Sequence, residues 1–418
     1  MLAVTVFAVV LLLAVLVSEL ARRSVLSTAV LFLVAGFLVG DGMLGLLPLA
    51  ADVPVVGRFA ELALFSVLFT DGMQAGVRDL TRAWRLPARA LLLGMPLTMA
   101  GTAVFAHYVA GLSWIQAWLV GAVLSPTDPV FAAAIVGRTD VPRRLRHLLN
   151  VESGVNDGLA LPVVIVLLAV VGEREVDTLK LLEELALGVA LGVVIPWVAI
   201  KLERLRFLQA ADRYQPLYAF AIGLLVFGAG SLLHANLFLA AFAAGVTVAT
   251  VGPEVRREFH GFGDTITELL KLAALLVFGA LLSPQLFGEI PPGGYLFALL
   301  ALLVVRPVAI GLALLGSRIE RREWIAAAWF GPKGFASVVY GLLILTAAVP
   351  GSQEMFQLIA LVVVASILAH SSTDVLVARW FREEGAKTRS VPSTGRDRPP
   401  ATPAPERSST TDRADGGG

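Results

Sequence analysis

The sequence predicts an all-α polytopic membrane protein of about thirteen transmembrane helices, with inverted repeats and two broken crossing helices. Three observations lead there. The 418 residues are 57% hydrophobic and only 16% charged, against about 25% charged for a soluble domain. Apolar runs near twenty residues long, the length that spans a bilayer, recur along the chain. Basic residues gather in alternate connections between those runs, as they do when one side faces the cytoplasm.

The runs fall near residues 2–21, 25–40, 58–75, 88–110, 114–137, 146–171, 181–201, 216–232, 235–250, 267–287, 294–315, 324–347 and 355–379, here numbered one to thirteen. The first lacks a basic leader and is followed directly by Arg22 and Arg23, so it reads as a retained helix rather than a signal peptide. Gly111–Ser113, His234–Asn236 and Val349–Gln353 are short enough for tight hairpins between antiparallel helices. Odd-numbered connections hold Arg22, Arg23, Arg78, Arg82, Arg85, Arg89, Arg138, Arg143, Arg144, Arg146, Lys201, Arg204, Arg206, Arg213, Arg256, Arg257, Arg318, Arg321 and Arg322. The opposite ones hold mainly Arg58, Arg174 and Lys180. This bias predicts an external N-terminus and a cytoplasmic C-terminus in a multi-pass cell-membrane protein. Residues 1–382 form the membrane domain. From Glu383 to 418 the chain turns rich in Pro, Ser, Thr and Gly, which predicts a disordered cytoplasmic tail.

Composition excludes several classes. With no cysteine there are no disulfides, thiolate metal sites or thiol nucleophiles. A net charge of +1 gives no nucleic-acid footprint. The five histidines are scattered without an HExxH pattern, against a zinc site. Nothing resembles a soluble catalytic domain, and no cofactor is expected.

Charged groups within spans mark function. In span five, Leu124-Ser125-Pro126-Thr127-Asp128-Pro129-Val130 sets two prolines around Thr127 and Asp128. Each proline removes a backbone donor and clashes with the turn before it, so the helix breaks. Bare carbonyls and helix ends at membrane depth are the usual parts of a transporter ion site, and Asp128 is placed to neutralise half-helix N-termini. The bland alternative is a kinked helix whose aspartate caps a turn.

Span six holds Asn150-Val151-Glu152-Ser153-Gly154-Val155-Asn156-Asp157-Gly158. Helical spacing puts Glu152 and Asn156 on one face and Ser153 and Asp157 on the next, a sector of oxygen ligands suited to a hard cation. An ordinary polar helix end is the alternative. In span eleven, Arg306 has about ten apolar residues on either side and needs a buried partner, for which Glu152 is the natural choice. In span twelve, Gly331-Pro332-Lys333-Gly334 breaks a second helix, seven spans after the first. Paired interruptions of this kind point to an inverted-repeat transporter site, where Lys333 balances half-helix C-termini. Asp71, ending span three, is a weaker candidate ligand. Glu268 and Lys271 read as a local i,i+3 pair near a span entrance.

These four motifs, in this order, resemble the monovalent cation:proton antiporters, in the electroneutral sodium/proton exchanger branch, over nearly all of residues 1–380. The resemblance implies that Asp157 carries either Na⁺ or a proton, with Ser153 and Thr127 as further Na⁺ ligands, and that Asn156 before Asp157 goes with electroneutral exchange. It implies a homodimer in membrane lipid, exchanging a monovalent cation for protons by alternating access and acting in pH homeostasis rather than as an enzyme. Two positions depart from the family pattern: Lys333 stands where arginine is common, and the acid of the third span is Asp71, one residue beyond its usual place. K⁺/H⁺ antiport is the same-class alternative. An intramembrane aspartyl protease using Asp128 and Asp157 is the different-class one, and a channel a third, although neither a Gly-x-Gly-Asp element nor a pore-loop filter is visible.

Overall fold

Apolar runs without internal polar partners satisfy their backbone only as helices in lipid, and all regular structure among the described residues is helical. The computed structural model describes residues 2–21, 28–40, 42–46, 54–74, 85–128, 141–172, 178–205, 207 and 211–389. The connections carrying Arg22, Arg23, Arg78, Arg82, Arg138, Arg174 and Arg206, and the second half of span five, lie outside these residues. Of the tail expected to be disordered from Glu383, residues 383–389 instead continue the helix that starts at Ser352, and the rest lies outside the described residues.

The first helices are α1 (Leu2–Ala21), α2 (Thr28–Val39), α3 (Pro54–Gln74), α4 (Arg85–Tyr108) and α5 (Trp114–Val123). Next come α6 (Arg143–Val171), α7 (Thr178–Glu203), α8 (Gln215–Leu232), α9 (Leu237–Val251) and α10 (Pro253–Leu281). Span eleven is α11 (Pro292–Ala313), span twelve is split into α12 (Arg321–Trp329) and α13 (Phe335–Ala347), and α14 is Ser352–Arg389. Six of these helices are long and apolar enough to cross a bilayer, and five more contain apolar helices of 10–17 residues.

Hairpin chemistry follows the sequence locally. Gly111 takes a left-handed φ of 83°, and Ser113 then caps α5 by accepting the Gln116 N–H while Gln116 reaches back to the Ser113 N–H. Asn236 caps α9 through Leu239 N–H in the same way. α3 packs along α9, α9 along α7, and α2 along α10, while α5 lies against α4 and α6.

α4 and α11 share an irregularity. Each contains a π-helical turn, Ala90–Gly94 in α4 and Ala301–Val305 in α11. Each turn stands just before a proline, Pro96 and Pro307. A proline within a helix lacks its N–H and presses on the carbonyl four residues earlier; a wider turn there relieves both. The two helices pack on one another at these turns, and they are seven spans apart, like the two interrupted spans.

Candidate functional site

At about 1.5 Å per residue, a helix of ten residues reaches halfway across a 30 Å hydrocarbon layer. α5, of 10 residues, therefore ends near mid-membrane, and α12 and α13, of 9 and 13 residues, meet there from opposite sides. Pro126 and Pro332 lie in the non-helical stretches, and the two backbones join where Asp128 N–H donates to Pro332 C=O at 2.9 Å.

Exposed helix ends at this depth are each answered by a side chain. The Asp128 carboxylate accepts from Phe335 N–H at 3.0 Å, placing negative charge on the N-terminus of α13. The Ser337 hydroxyl donates to Val123 C=O at 2.8 Å, in the last turn of α5. Lys333 Nζ lies 3.5 Å from Pro126 C=O, and its backbone N–H donates to Ser366 Oγ at 2.8 Å. Close approach requires glycine here: a Cβ on Gly334 would overlap the Asp128 side chain, and one on Gly331 would overlap the Arg306 guanidinium. Gly334→Ala is accordingly expected to destabilise the protein by about 1–3 kcal/mol, the usual range for overpacking, and to reduce transport more than it reduces membrane insertion. Thermal unfolding in detergent and a vesicle flux assay check both.

α6 lies under this crossing. Glu152, Ser153, Asn156 and Asp157 are all at most 6% exposed, as are Thr127, Asp128, Arg306 and Lys333. Asn156 Nδ2 donates to Thr127 Oγ1 at 2.8 Å, and Thr127 Oγ1 lies 3.1 Å from Ser153 Oγ, so α6 is tied to the broken stretch of span five. The Tyr340 hydroxyl donates to the main-chain carbonyl of Asp157 at 2.9 Å, leaving its carboxyl group uninvolved. Among the described residues, Asp157 Oδ1 and Asn156 Oδ1 are buried with no hydrogen-bond partner. Buried polar oxygens are rarely left so. Such open acceptor oxygens, on a helix that also carries Ser153 and bonds to Thr127, can take a proton or a hard monovalent cation.

Glu152 and Arg306 meet. Arg306 Nη1 donates to Glu152 Oε1 at 2.9 Å, with both side chains at most 5% exposed. Arg306 Nη2 also donates to Phe330 C=O at 2.8 Å, capping the carbonyl end of α12. The pair thus joins α6, α11 and the second broken span.

Asp71 is drawn in from α3, partly buried and within electrostatic reach of Asp157, Asp128 and Lys271. Its neighbour Thr70 donates within its own helix to Val67 C=O at 2.8 Å and receives Thr267 of α10 at 3.4 Å. Lys271 has more partners than the local i,i+3 pair with Glu268 that its spacing suggests. Its leading electrostatic partner is Asp128, followed by Asp71, and only then by Glu268, with Asp157 after it. A signal was present: Lys271 interrupts Leu269 to Phe278, which is otherwise apolar.

The transmembrane sodium/hydrogen exchanger family model matches residues 8–380. The chain belongs to this sodium/hydrogen exchanger family. Among its relatives, a K(+)/H(+) antiporter NhaP2 of Shewanella baltica is 27% identical over 381 residues, 88% of this chain and 65% of the relative. The K(+)/H(+) antiporter NhaP of Alkalimonas amylolytica is 26% identical over 395 residues, 92% of this chain and 68% of that protein. The chain therefore spans about two thirds of the length of these curated relatives. The sodium proton antiporter MjNhaP1 of Methanocaldococcus jannaschii has the same fold, with a TM-score of 0.73 at 18% identity, covering 91% of this chain and 98% of that one. The chain is a multi-pass membrane protein with an antiporter fold.

Proposed function

We propose that this protein exchanges a monovalent cation, Na⁺ in the first reading, for protons across the cell membrane, one for one, through Asp157. The observation that carries this is the buried Asp157 carboxyl oxygen without a partner, on the helix whose Asn156 and Ser153 are tied to Thr127 in the first interrupted span. In so dry a place the carboxylate keeps either a proton or a cation but not both, and the bare charge crosses the membrane reluctantly. Movement of the crossing helices then exposes the loaded site to one side or the other. Transport by such a carrier leaves no covalent step, so no catalytic residue and no cofactor is invoked. The charge bias of the connections supports an external N-terminus, and the family supports a homodimer.

K⁺ is the second reading, favoured by the names of the curated relatives. A protease dyad of Asp128 and Asp157 is disfavoured, because Asp128 is engaged at the N-terminus of α13. The test is proton release in sealed vesicles on addition of Na⁺ or K⁺. Release driven by either ion and absent from vesicles without the protein is expected; no response to any monovalent cation would remove the antiport reading.

A further inference from the structure

Sorting the charges at the crossing leaves one cation with no role in the exchange described above. Glu152 is matched by Arg306, Asp128 sits on the N-terminus of α13, and Lys333 lies against the carbonyl end of span five. What remains facing the site without a helix end or an arginine opposite is two carboxylates, Asp157 and Asp71, and one ammonium, Lys271, on which Asp128 acts first and Asp71 next. Glu268 and Asp264 also act on this group from the same face of α10. Asp264 is exposed and bonded to His260 at 2.6 Å, and both lie nearer the solvated start of that helix, where charge is screened.

Geometry fixes Lys271 in place. α10 packs against α3, and Thr267, one turn before Lys271, bonds to Thr70, the residue before Asp71. Lys271 therefore shares the Thr267 face of α10, which is turned to α3. It lies far along a helix that begins at Pro253, with Leu272, Ala274, Leu275 and Leu276 buried just beyond it. A lysine partly buried among them needs a counter-charge, and carboxylates are what its surroundings supply.

We propose that the Lys271 ammonium stands in for a second cargo cation: it neutralises Asp71, so that Asp157 is the single exchangeable carboxylate and each cycle moves no net charge. This inference rests on the antiport reading above. It assigns Lys271 as a positioning residue that sets stoichiometry without itself being transported. Removing the tethered charge turns Asp71 into a second site for the mobile cation or the proton. Arginine, which keeps the charge, preserves the one-for-one cycle.

The test uses the full chain in sealed vesicles, with proton movement driven by Na⁺ and, separately, by K⁺. A membrane potential of about 100 mV is imposed by a thiocyanate gradient, enough to change a charge-moving step several-fold or more. The unaltered protein is expected to exchange at a rate indifferent to potential, and Lys271→Arg to do the same. Lys271→Gln is expected to become potential-dependent and to show cooperative dependence on the cation. Adding Asp71→Asn to Lys271→Gln is expected to restore indifference. Exchange by Lys271→Gln that ignores potential, or a double variant that stays potential-dependent, overturns the assignment. Should Lys271→Gln fail to insert, Asp71→Asn alone decides the matter. It takes away one of the acids held by Lys271, leaves more of the ammonium's charge facing Asp157, and should weaken the apparent cation affinity on the order of tenfold; an unchanged affinity overturns the proposal. The unaltered protein separates the two levels. Absence of exchange there overturns the antiport reading and this inference with it, whereas exchange there with an unresponsive Lys271→Gln overturns only the role of Lys271.

Discussion

Asp157→Asn is expected to abolish cation-driven proton movement altogether while the protein still inserts and folds. The amide has the shape of the acid but neither titrates nor carries charge, so neither cargo is retained. The fold should tolerate the change for a local reason. The contact that anchors this position uses the main-chain carbonyl, which accepts from the Tyr340 hydroxyl, and one carboxyl oxygen has no hydrogen-bond partner to lose among the described residues. Flux in sealed vesicles, read beside the melting temperature in detergent, checks both halves of the expectation. Exchange retained at more than a trace would move the exchangeable group to Asp71 or Asp128.

The second large effect is on stability. Removing one member of a buried ion pair typically costs about 3–5 kcal/mol, because its partner is left charged and unmatched, whereas removing both can be nearly neutral. Glu152→Gln and Arg306→Ala should therefore each lower the unfolding temperature markedly. The losses should differ: Arg306→Ala also leaves Phe330 C=O without its donor, and an unsatisfied buried carbonyl adds about 1–3 kcal/mol. The double variant should recover part of the loss but not all of it, since that carbonyl stays uncapped. A double-mutant cycle in detergent measures the coupling directly. Strictly additive losses would mean that the 2.9 Å contact contributes nothing to stability.

The pairing of Glu152 with Arg306 was readable in the sequence because an arginine among apolar residues has to find an acid, and few acids lie within spans. Both interrupted spans were readable because proline removes a donor wherever it stands. The contacts that close the crossing were not. Ser337 on Val123 C=O, Ser366 beneath Lys333 and Tyr340 on Asp157 C=O involve residue types common in any helix, and only the spatial arrangement singles them out. Lys271 gains partners once α10 is packed. Its i,i+3 spacing suggests a local pair with Glu268, and Glu268 does act on it. α10 also lies against α3, which adds Asp71 and, from span five, Asp128; spacing along one helix does not reveal either. The helix runs over Pro253–Leu281 where hydropathy begins the span at residue 267, because hydropathy marks where lipid begins and not where a helix does.

The widened turn ahead of Arg306 gives that arginine its compass bearing. A π-turn holds one residue more than an α-turn, and each residue of an α-helix swings its side chain by about 100°. The position of Arg306 around the axis of α11 therefore depends on how Ala301–Val305 winds, as well as on which residues it holds. Were those same five apolar residues to close into regular α winding, hydropathy and charge would not change, yet the guanidinium would point about a quarter-turn away from Glu152. Deleting one of them as the turn closed would instead keep the bearing. The same holds at Ala90–Gly94 for the register of α4 against α11. In these two helices the wide turn absorbs one residue, and winding is as tightly specified as composition.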